Sequence, residues 1–393
     1  MMMIGFIILI VGLMGFFYTL LGSMILSLIF GTRHELRPVE QSMNFEILLA
    51  AHNEEKTILH SLESFQKAAD VVNRNHSLVS LSVHVGLDHC TDETLSIVKS
   101  FANTHLMSVR YFENLGPRGK WFIVKRLIEE SKADWVSLTD CGSLWHQDLI
   151  LRVSEILGSE NIFCVAPSYL PIKAKFLETM YWRMEQLIRS FENKGGGSIM
   201  VHGPTVFYKR SSLVKALDLL GKDHWFNDDV AIPMIMRLDD PKNRVHYFAS
   251  KKNSAWVRDI GVVSDVQVER RRRKRIMIGN LQVIRNLIFP KFSFIKLSSW
   301  SGLRLVFKVM WAYWLTFVVL GSACVIISLP VVKDLVLKQN ISMILFEVFL
   351  IILLGMSFRY SNYLQRLFMA YLSGLGIYKG WKALETPEKI TWS

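Results

Sequence analysis

The 393-residue chain predicts an α/β domain with a parallel sheet, set between apolar segments at both ends. Three observations carry this reading. Between residues 38 and 300, β-rich apolar runs alternate with helix-periodic stretches, a βαβ pattern. Short clusters of acidic and amide residues stand directly after those runs, and residues 1–32 hold no charged side chain. With 51% of residues apolar and 20% charged, a disordered chain is excluded. The mean hydropathy of +0.26 leans toward one large domain plus membrane segments. Cys90, Cys141, Cys164 and Cys324 form no CxxC pair, which excludes a disulfide-stapled scaffold and a zinc ribbon. The net charge of +12 indicates anionic partners: lipid head groups, nucleotides or nucleic acid.

Met1–Thr32 is long enough to cross a bilayer, lacks a basic n-region and exceeds the length of a signal core. It is expected to be a retained anchor, with the Arg33 end in the cytoplasm and the N-terminus outside. Residues 38–300 form the expected soluble domain, with strands at Phe45–Ala50, Leu81–Leu87, Val109–Phe112, Trp135–Thr139 and Phe163–Ala166. Ile58, Leu62, Phe65, Ala69 and Val72 recur at helical spacing and predict one helix face laid on the sheet. Residues 301–393 form the expected C-terminal membrane region. Its apolar spans are Val309–Val332 and Ile341–Phe358, followed by a short interfacial, re-entrant or weakly spanning segment at Leu367–Tyr378. Glu347, inside the second of these, is expected to face other helices or water.

In an open parallel sheet, ligands bind beyond the carboxyl ends of the strands. There the sequence places His52-Asn53-Glu54-Glu55, Asp88-His89-Cys90-Thr91-Asp92, Asn114 to Lys120, and Asp140-Cys141-Gly142-Ser143. Taken singly, Asn53 and Thr91/Asp92 are explained equally well as helix caps or turn formers. Taken as a series, the strand-end acids and one lysine converge on one crevice.

These segments resemble the family 2 glycosyltransferases, inverting enzymes of the GT-A fold, and in particular their membrane-anchored, polysaccharide-synthase-like members. Ala50-Ala51-His52-Asn53-Glu54-Glu55 is similar to the opening P-A-Y-N-E-E, and Asp88-His89-Cys90-Thr91-Asp92-Glu93-Thr94 to D-D-x-S-x-D-x-T. Gly119-Lys120 matches the core of N-x-G-K, and Asp140-Cys141-Gly142 falls where D-x-D belongs. Asn227-Asp228-Asp229 falls at the E-D motif, and Arg272 to Ile276 at Q-x-x-R-W. The matches keep family order over residues 45–285.

The resemblance implies a GT-A (Rossmann-like) domain transferring a sugar from a nucleotide-sugar donor, a UDP-sugar by expectation, to a lipid-linked or growing glycan acceptor with inversion. It implies Asp229 as the base, with Asp228 as the alternative assignment. It implies Glu54 and Asp88 at the nucleoside, Asp140 at the metal or ribose, and Lys120 near the donor phosphate or the base. Mg2+ or Mn2+ is the expected cofactor, with Asp140 as its ligand. Two positions depart from the pattern. Gly142 replaces the second acid of D-x-D, which weakens the metal expectation, although one or two carboxylates with phosphates and water suffice for Mg2+. Arg272 and Ile276 replace the Gln and Trp, which favours a short-product transferase over a processive synthase.

The basic run Arg270–Arg275 reads as a solvated face, a patch held to anionic lipid, or a nucleic-acid patch. With no reader motif beside it, nucleic acid is not expected as a partner. The favoured division sets Arg272 and Arg275 on the diphosphate, where guanidinium forks match phosphate oxygens, and Arg270 or Arg271 on membrane lipid. His202-Gly203-Pro204-Thr205 resembles the family segment on the acceptor side and equally suits a turn before a strand. Gly195-Gly196-Gly197 is expected to be a flexible loop. Tyr181, Trp182 and Trp225 are aromatics for stacking on sugar or lipid, or for packing. The expected protein is integral to the plasma (inner) membrane with a cytoplasmic catalytic domain. A catalytically degenerate membrane scaffold or partner subunit, and a processive polysaccharide synthase, are the competing readings.

Overall fold

The computed structural model describes residues 2–32, 34–75, 78–172, 176–221, 224–248, 254–260, 266–291 and 298–328. The expected segments at 341–358 and 367–378, with Glu347, lie outside the described residues, as does the end of the 309–332 span.

The strands are β1 (Met43–Ala51), β2 (Val79–Asp88), β3 (Ser108–Asn114), β4 (Trp135–Asp140), β5 (Ser143–Trp145), β6 (Ile162–Ala166), β7 (Ser168–Pro171), β8 (Thr205–Lys209), β9 (Arg244–Tyr247) and β10 (Trp256–Asp259). Seven of them form one sheet in the order β3-β2-β1-β4-β8-β6-β9. All its pairings are parallel except those of β8, which runs antiparallel to β4 and β6. β1 shows why the central strands read as unbroken apolar runs. Phe45, Ile47, Leu49 and Ala51 face one core, Leu48 and Ala50 the other, and all six are buried. A strand covered by helices on both faces has no solvent side to alternate with.

The helix Ile58–Arg74 lies on one face, with Ile58, Leu62, Phe65, Ala69 and Val72 buried as their spacing predicts. The registers align the strand ends: Ala50 lies opposite Asp140 and Gly86, and Asp88 opposite Asn114. One edge of the sheet therefore gathers the polar residues that follow each strand. A second sheet, β5-β10-β7, stands beyond that edge.

Residues 2–30 form one helix, interrupted only by a π-turn at Tyr18–Gly22. At 1.5 Å per residue it is ~43 Å long, enough for a hydrocarbon core of ~30 Å. Among the described residues it is the one unbroken helix long and apolar enough to cross a membrane. The helix Trp311–Ile327 packs along it so closely that a Cβ on Gly12 would stand 2.7 Å from the Val318 nitrogen. The preceding helix, Ser298–Val309, is set at 58° to that segment and turns back to the domain. Arg304, fully buried, reaches Glu185 at 3.1 Å and Glu192 at 3.4 Å, while Lys308 reaches Glu185 at 2.8 Å. Ser23 of the N-terminal helix donates to the same Glu192. Against the pull of burial, Lys308, Arg304 and Arg189 hold the Glu185 carboxyl well below its usual range. Buried charges persist only when paired, so this network ties the N-terminal helix and the helix Ser298–Val309 to the α/β domain.

The expected flexible loop at Gly195–Gly197 is instead locked. Arg237, buried in the helix Asp228–Asp239, donates to the Gly195 and Gly197 carbonyls. Gly197 has φ +93°, and a Cβ there would collide with the Val245 carbonyl. These glycines serve close packing and left-handed backbone rather than motion.

Candidate active site

β1 and β2 end in local bonding that accounts for several of the singled-out residues. Asn53, at φ 55°, accepts the Thr91 amide on Oδ1, and Asp92 accepts the Thr94 and Glu55 amides. Asn53 thus ties the segments after β1 and β2 together, and Asp92 does the same while closing a turn onto Thr94. Asp88 is 2% exposed and fully engaged: His89 and Asn114 bond Oδ1 at 2.9 and 3.0 Å, and the Gly119 amide donates to Oδ2 at 2.9 Å. Burial alone would raise its pKa, but these three bonds outweigh it and hold the carboxyl below its usual value. Asp88 thus braces the 114–119 loop, whose Gly119, at φ +130°, opens the helix Lys120–Glu130.

That helix delivers Lys120 to the centre of the cleft. Its Nζ lies 2.6 Å from Asp140 Oδ1, at the end of β4, and 3.9 Å from Asp228 Oδ2. Burial would favour the neutral amine, yet Asp140 and Asp228 win and raise its pKa. Asp228 and Asp229 open the helix Asp228–Asp239. Asn227 anchors its start by donating to the Ile276 carbonyl at 2.9 Å and to Asn280 Oδ1 at 2.8 Å. Pro233 removes the donor that the Asp229 carbonyl would otherwise meet four residues on.

A helix N-terminus favours a carboxylate. At Asp229 that influence loses: burial and the charge of Asp228 push its pKa up to about 7, with Asp140 adding and Lys120 and Arg275 opposing. Gly203 flanks this group. A Cβ there would lie 3.3 Å from Asp229 Oδ2 and 3.9 Å from Asp140 Oδ2, so the bare backbone leaves the carboxylates open.

Glu54 bonds the Thr57 hydroxyl, and burial followed by the charges of Asp140, Asp92 and Asp259 raises its pKa. Arg275, in the helix Val266–Val283, is close enough for its charge to act on Lys120, Asp229 and His224. Arg272 belongs to the same helix, but its side chain lies outside the described residues.

Two expected acceptor-side residues sit elsewhere than predicted. Trp225 is buried in the core, its indole donating to the Leu220 carbonyl at 3.3 Å, and does not line the cleft. His202 is buried behind Gly203, 2.6 Å from Arg189 and 3.1 Å from the Tyr247 hydroxyl. Burial and then the Arg189 charge hold it neutral. It packs with Tyr169 and Trp182, so Trp182 is a packing residue.

Sequence reasoning missed Asp259. It ends β10, and the strand-end rule that found the other acids would have found it had so short a strand been legible. Its Oδ1 lies 3.6 Å from where a Cβ on Gly142 would stand. Among the described residues, no three His, Cys, Asp or Glu side chains form a ready metal cage. The hard carboxylate oxygens of Asp140 and Asp259 beside the bare Gly142 nonetheless suit a divalent cation completed by phosphate and water.

No protein-family model matches the chain, and no curated protein matches it. Solved structures do. The mannosyltransferase PcManGT from Pyrobaculum calidifontis, in complex with GDP-Man and Mn2+, aligns with a TM-score of 0.64 at 16% identity, over 94% of this chain and 98% of its own. Residues 1–349 of S. aureus TarS with UDP-GlcNAc align at 0.48 and 14% identity, over 69% and 73%. Glucosyl-3-phosphoglycerate synthase from Mycobacterium tuberculosis, with Mn2+, UDP and its product, aligns at 0.42 and 14% identity, over 62% and 80%. The near-complete coverage of the first defines the architecture: this chain has the GT-A fold, as the resemblance implied.

Proposed function

We propose that the protein is a membrane-bound glycosyltransferase that moves a sugar from a nucleoside-diphosphate donor to a lipid-linked or growing glycan acceptor with inversion. In this reading residues 38–300 are the catalytic domain on the cytoplasmic face, and residues 1–32 and 301–393 hold it to the bilayer. The observation that carries it is the part-buried set of Asp140 at the end of β4 with Lys120, Asp228 and Asp229 at two helix starts, with one carboxyl held at about 7. A base poised near neutrality is what activation of a hydroxyl requires. The survival of this set argues against a degenerate scaffold.

The acceptor hydroxyl gives its proton to Asp229 as its oxygen bonds to the anomeric carbon. On the opposite face the bond from that carbon to the diphosphate oxygen breaks. Asp228 keeps the base from being too weak, and Lys120 holds the acids together while presenting positive charge toward the leaving group. Arg275 adds a second positive charge on that side. Asp140 would hold a divalent cation, which supplies neutralisation of diphosphate charge. Gly203 leaves room for the acceptor beside Asp229, and Asp88 acts on the donor through the 114–119 loop it braces. The resemblance favours uracil as the donor base, and the GDP-Man bound to PcManGT makes guanine the alternative.

Calorimetric titration of the detergent-solubilised full chain with UDP and GDP, with and without Mn2+, tests the donor site. Transfer is then assayed with the matching radiolabelled nucleotide sugars. Saturable binding and product formation that Asp229→Asn abolishes are expected. Folded protein that binds neither nucleotide refutes the reading, and near wild-type turnover by Asp229→Asn refutes the base assignment.

A further inference from the structure

The acid missing at position 142 leaves a space, and another carboxylate fills it. Gly142 has φ +86°, and a Cβ built on it would point at Asp259 Oδ1, 3.6 Å away, with Thr57 at 3.7 Å. The backbone fixes this approach. β10 pairs antiparallel with β5, Asp259 stands opposite Ser143, and the Ile260 amide donates to the Gly142 carbonyl at 3.1 Å. The Tyr169 hydroxyl donates to Asp259 Oδ2 at 3.4 Å, and Oδ1 is the oxygen that faces Gly142. Glu54 senses the charges of both Asp140 and Asp259, so the ends of β1, β4 and β10 share one electrostatic space.

We propose that Asp259 supplies, from β10, the second carboxylate that the chain lacks at Gly142, so that Asp140 and Asp259 together hold a divalent cation against the donor diphosphate. This rests on the nucleotide-sugar reading above. Two carboxylates are few for a protein-only cage, and Mg2+ or Mn2+ bound this way takes its remaining ligands from phosphate and water. Cation affinity should therefore depend on nucleotide: weak for the protein alone, tight once a diphosphate is present. The bare glycine is then no defect, because its left-handed backbone at φ +86° disfavours a side chain and a carboxylate already stands where that side chain would reach.

The test is Mn2+ binding to the solubilised full chain, read from the electron paramagnetic resonance signal of free Mn2+, with and without the nucleotide diphosphate that wild type binds. Nucleotide-dependent Mn2+ binding is expected in wild type. Asp259→Asn should weaken it at least 10-fold while nucleotide affinity without metal changes less than 2-fold. In the Asp259→Asn background, Gly142→Asp should recover it, since aspartate tolerates left-handed backbone better than most residues. As a second variant, Gly142→Asp in wild type should lower the metal-free melting temperature by crowding two carboxylates and raise Mn2+ affinity. Unchanged Mn2+ binding in Asp259→Asn, equal loss of nucleotide with and without metal, or no effect of Gly142→Asp on Mn2+ affinity overturns the proposal and leaves the donor site standing. Wild type that binds no nucleotide overturns it together with the functional reading.

Discussion

Replacing Asp229 with Asn should produce a protein that is more stable and inactive. The carboxyl is raised from 3.8 to about 7, so the folded state prefers it protonated. Between those two pH values the folded chain keeps a proton that the unfolded chain has released. Stability therefore falls as pH rises through that window, and the full cost is present above it. At ~1.36 kcal/mol per pH unit the ceiling is ~4 kcal/mol. One edge of Asp229 opens to the cleft, where water screens part of this, and about 2 kcal/mol is the working expectation. Asparagine removes the charge and keeps the shape. At ~2–4 °C per kcal/mol for a domain of this size, Asp229→Asn should melt roughly 4–8 °C above wild type at pH 8. About half of that gain should remain at pH 5.5, because the linkage is then only half developed. Differential scanning fluorimetry at both pH values measures it, alongside transfer, which should fall by ~10²–10⁴. A gain that is the same at pH 5.5 and pH 8, or a loss at pH 8, refutes the claim that a strained carboxylate is kept for catalysis.

Transfer by wild type should show an ascending pH limb near 7 as Asp229 ionises, and Asp228→Asn should move that limb to lower pH by removing the neighbouring negative charge; a limb that stays in place assigns it to another group. Gly203→Ala should keep the fold and reduce transfer at least ~10-fold, because its methyl would stand 3.3 Å from Asp229 Oδ2; initial rates against both substrates and a melting curve separate the two effects. Arg304→Ala should lower stability by ~3–5 kcal/mol by leaving Glu185 and Glu192 buried and unpaired. Lys308→Ala, on a side chain 30% exposed, should cost ~1 kcal/mol or less, and equal losses in chemical denaturation would contradict the network described.

The strands β1 to β4 and the helix after β1 were legible because their signals are local. A strand buried on both faces needs an apolar run, and a helix on a sheet needs one apolar stripe. Glu54, Asp88 and Asp140 were legible because a parallel sheet puts its ligands at one edge, whereas Asp228 and Asp229, which open a helix, were singled out by the family resemblance alone. Where local and distant explanations compete, the sequence was silent. Trp225 and the Gly195–Gly197 segment owe their roles to partners far along the chain: Trp225 packs into a shared core, and Arg237 clamps the glycines from another helix. Neither pairing leaves a periodic trace.

The sequence by itself determined the apolar first helix, the alternation of strand and helix, and the order of polar segments at the sheet edge. Each follows from spacing within a few residues. Only the tertiary structure decided what those segments do together. It set Lys120 between Asp140 and Asp228, and it brought burial and a second acid to bear on Asp229. It also carried Asp259 across more than a hundred residues to the empty side of Gly142. The reason is physical: covalent neighbours set conformational preference, whereas a pKa or a ligand set depends on which charges meet in a low-dielectric cleft, and that is fixed by the fold.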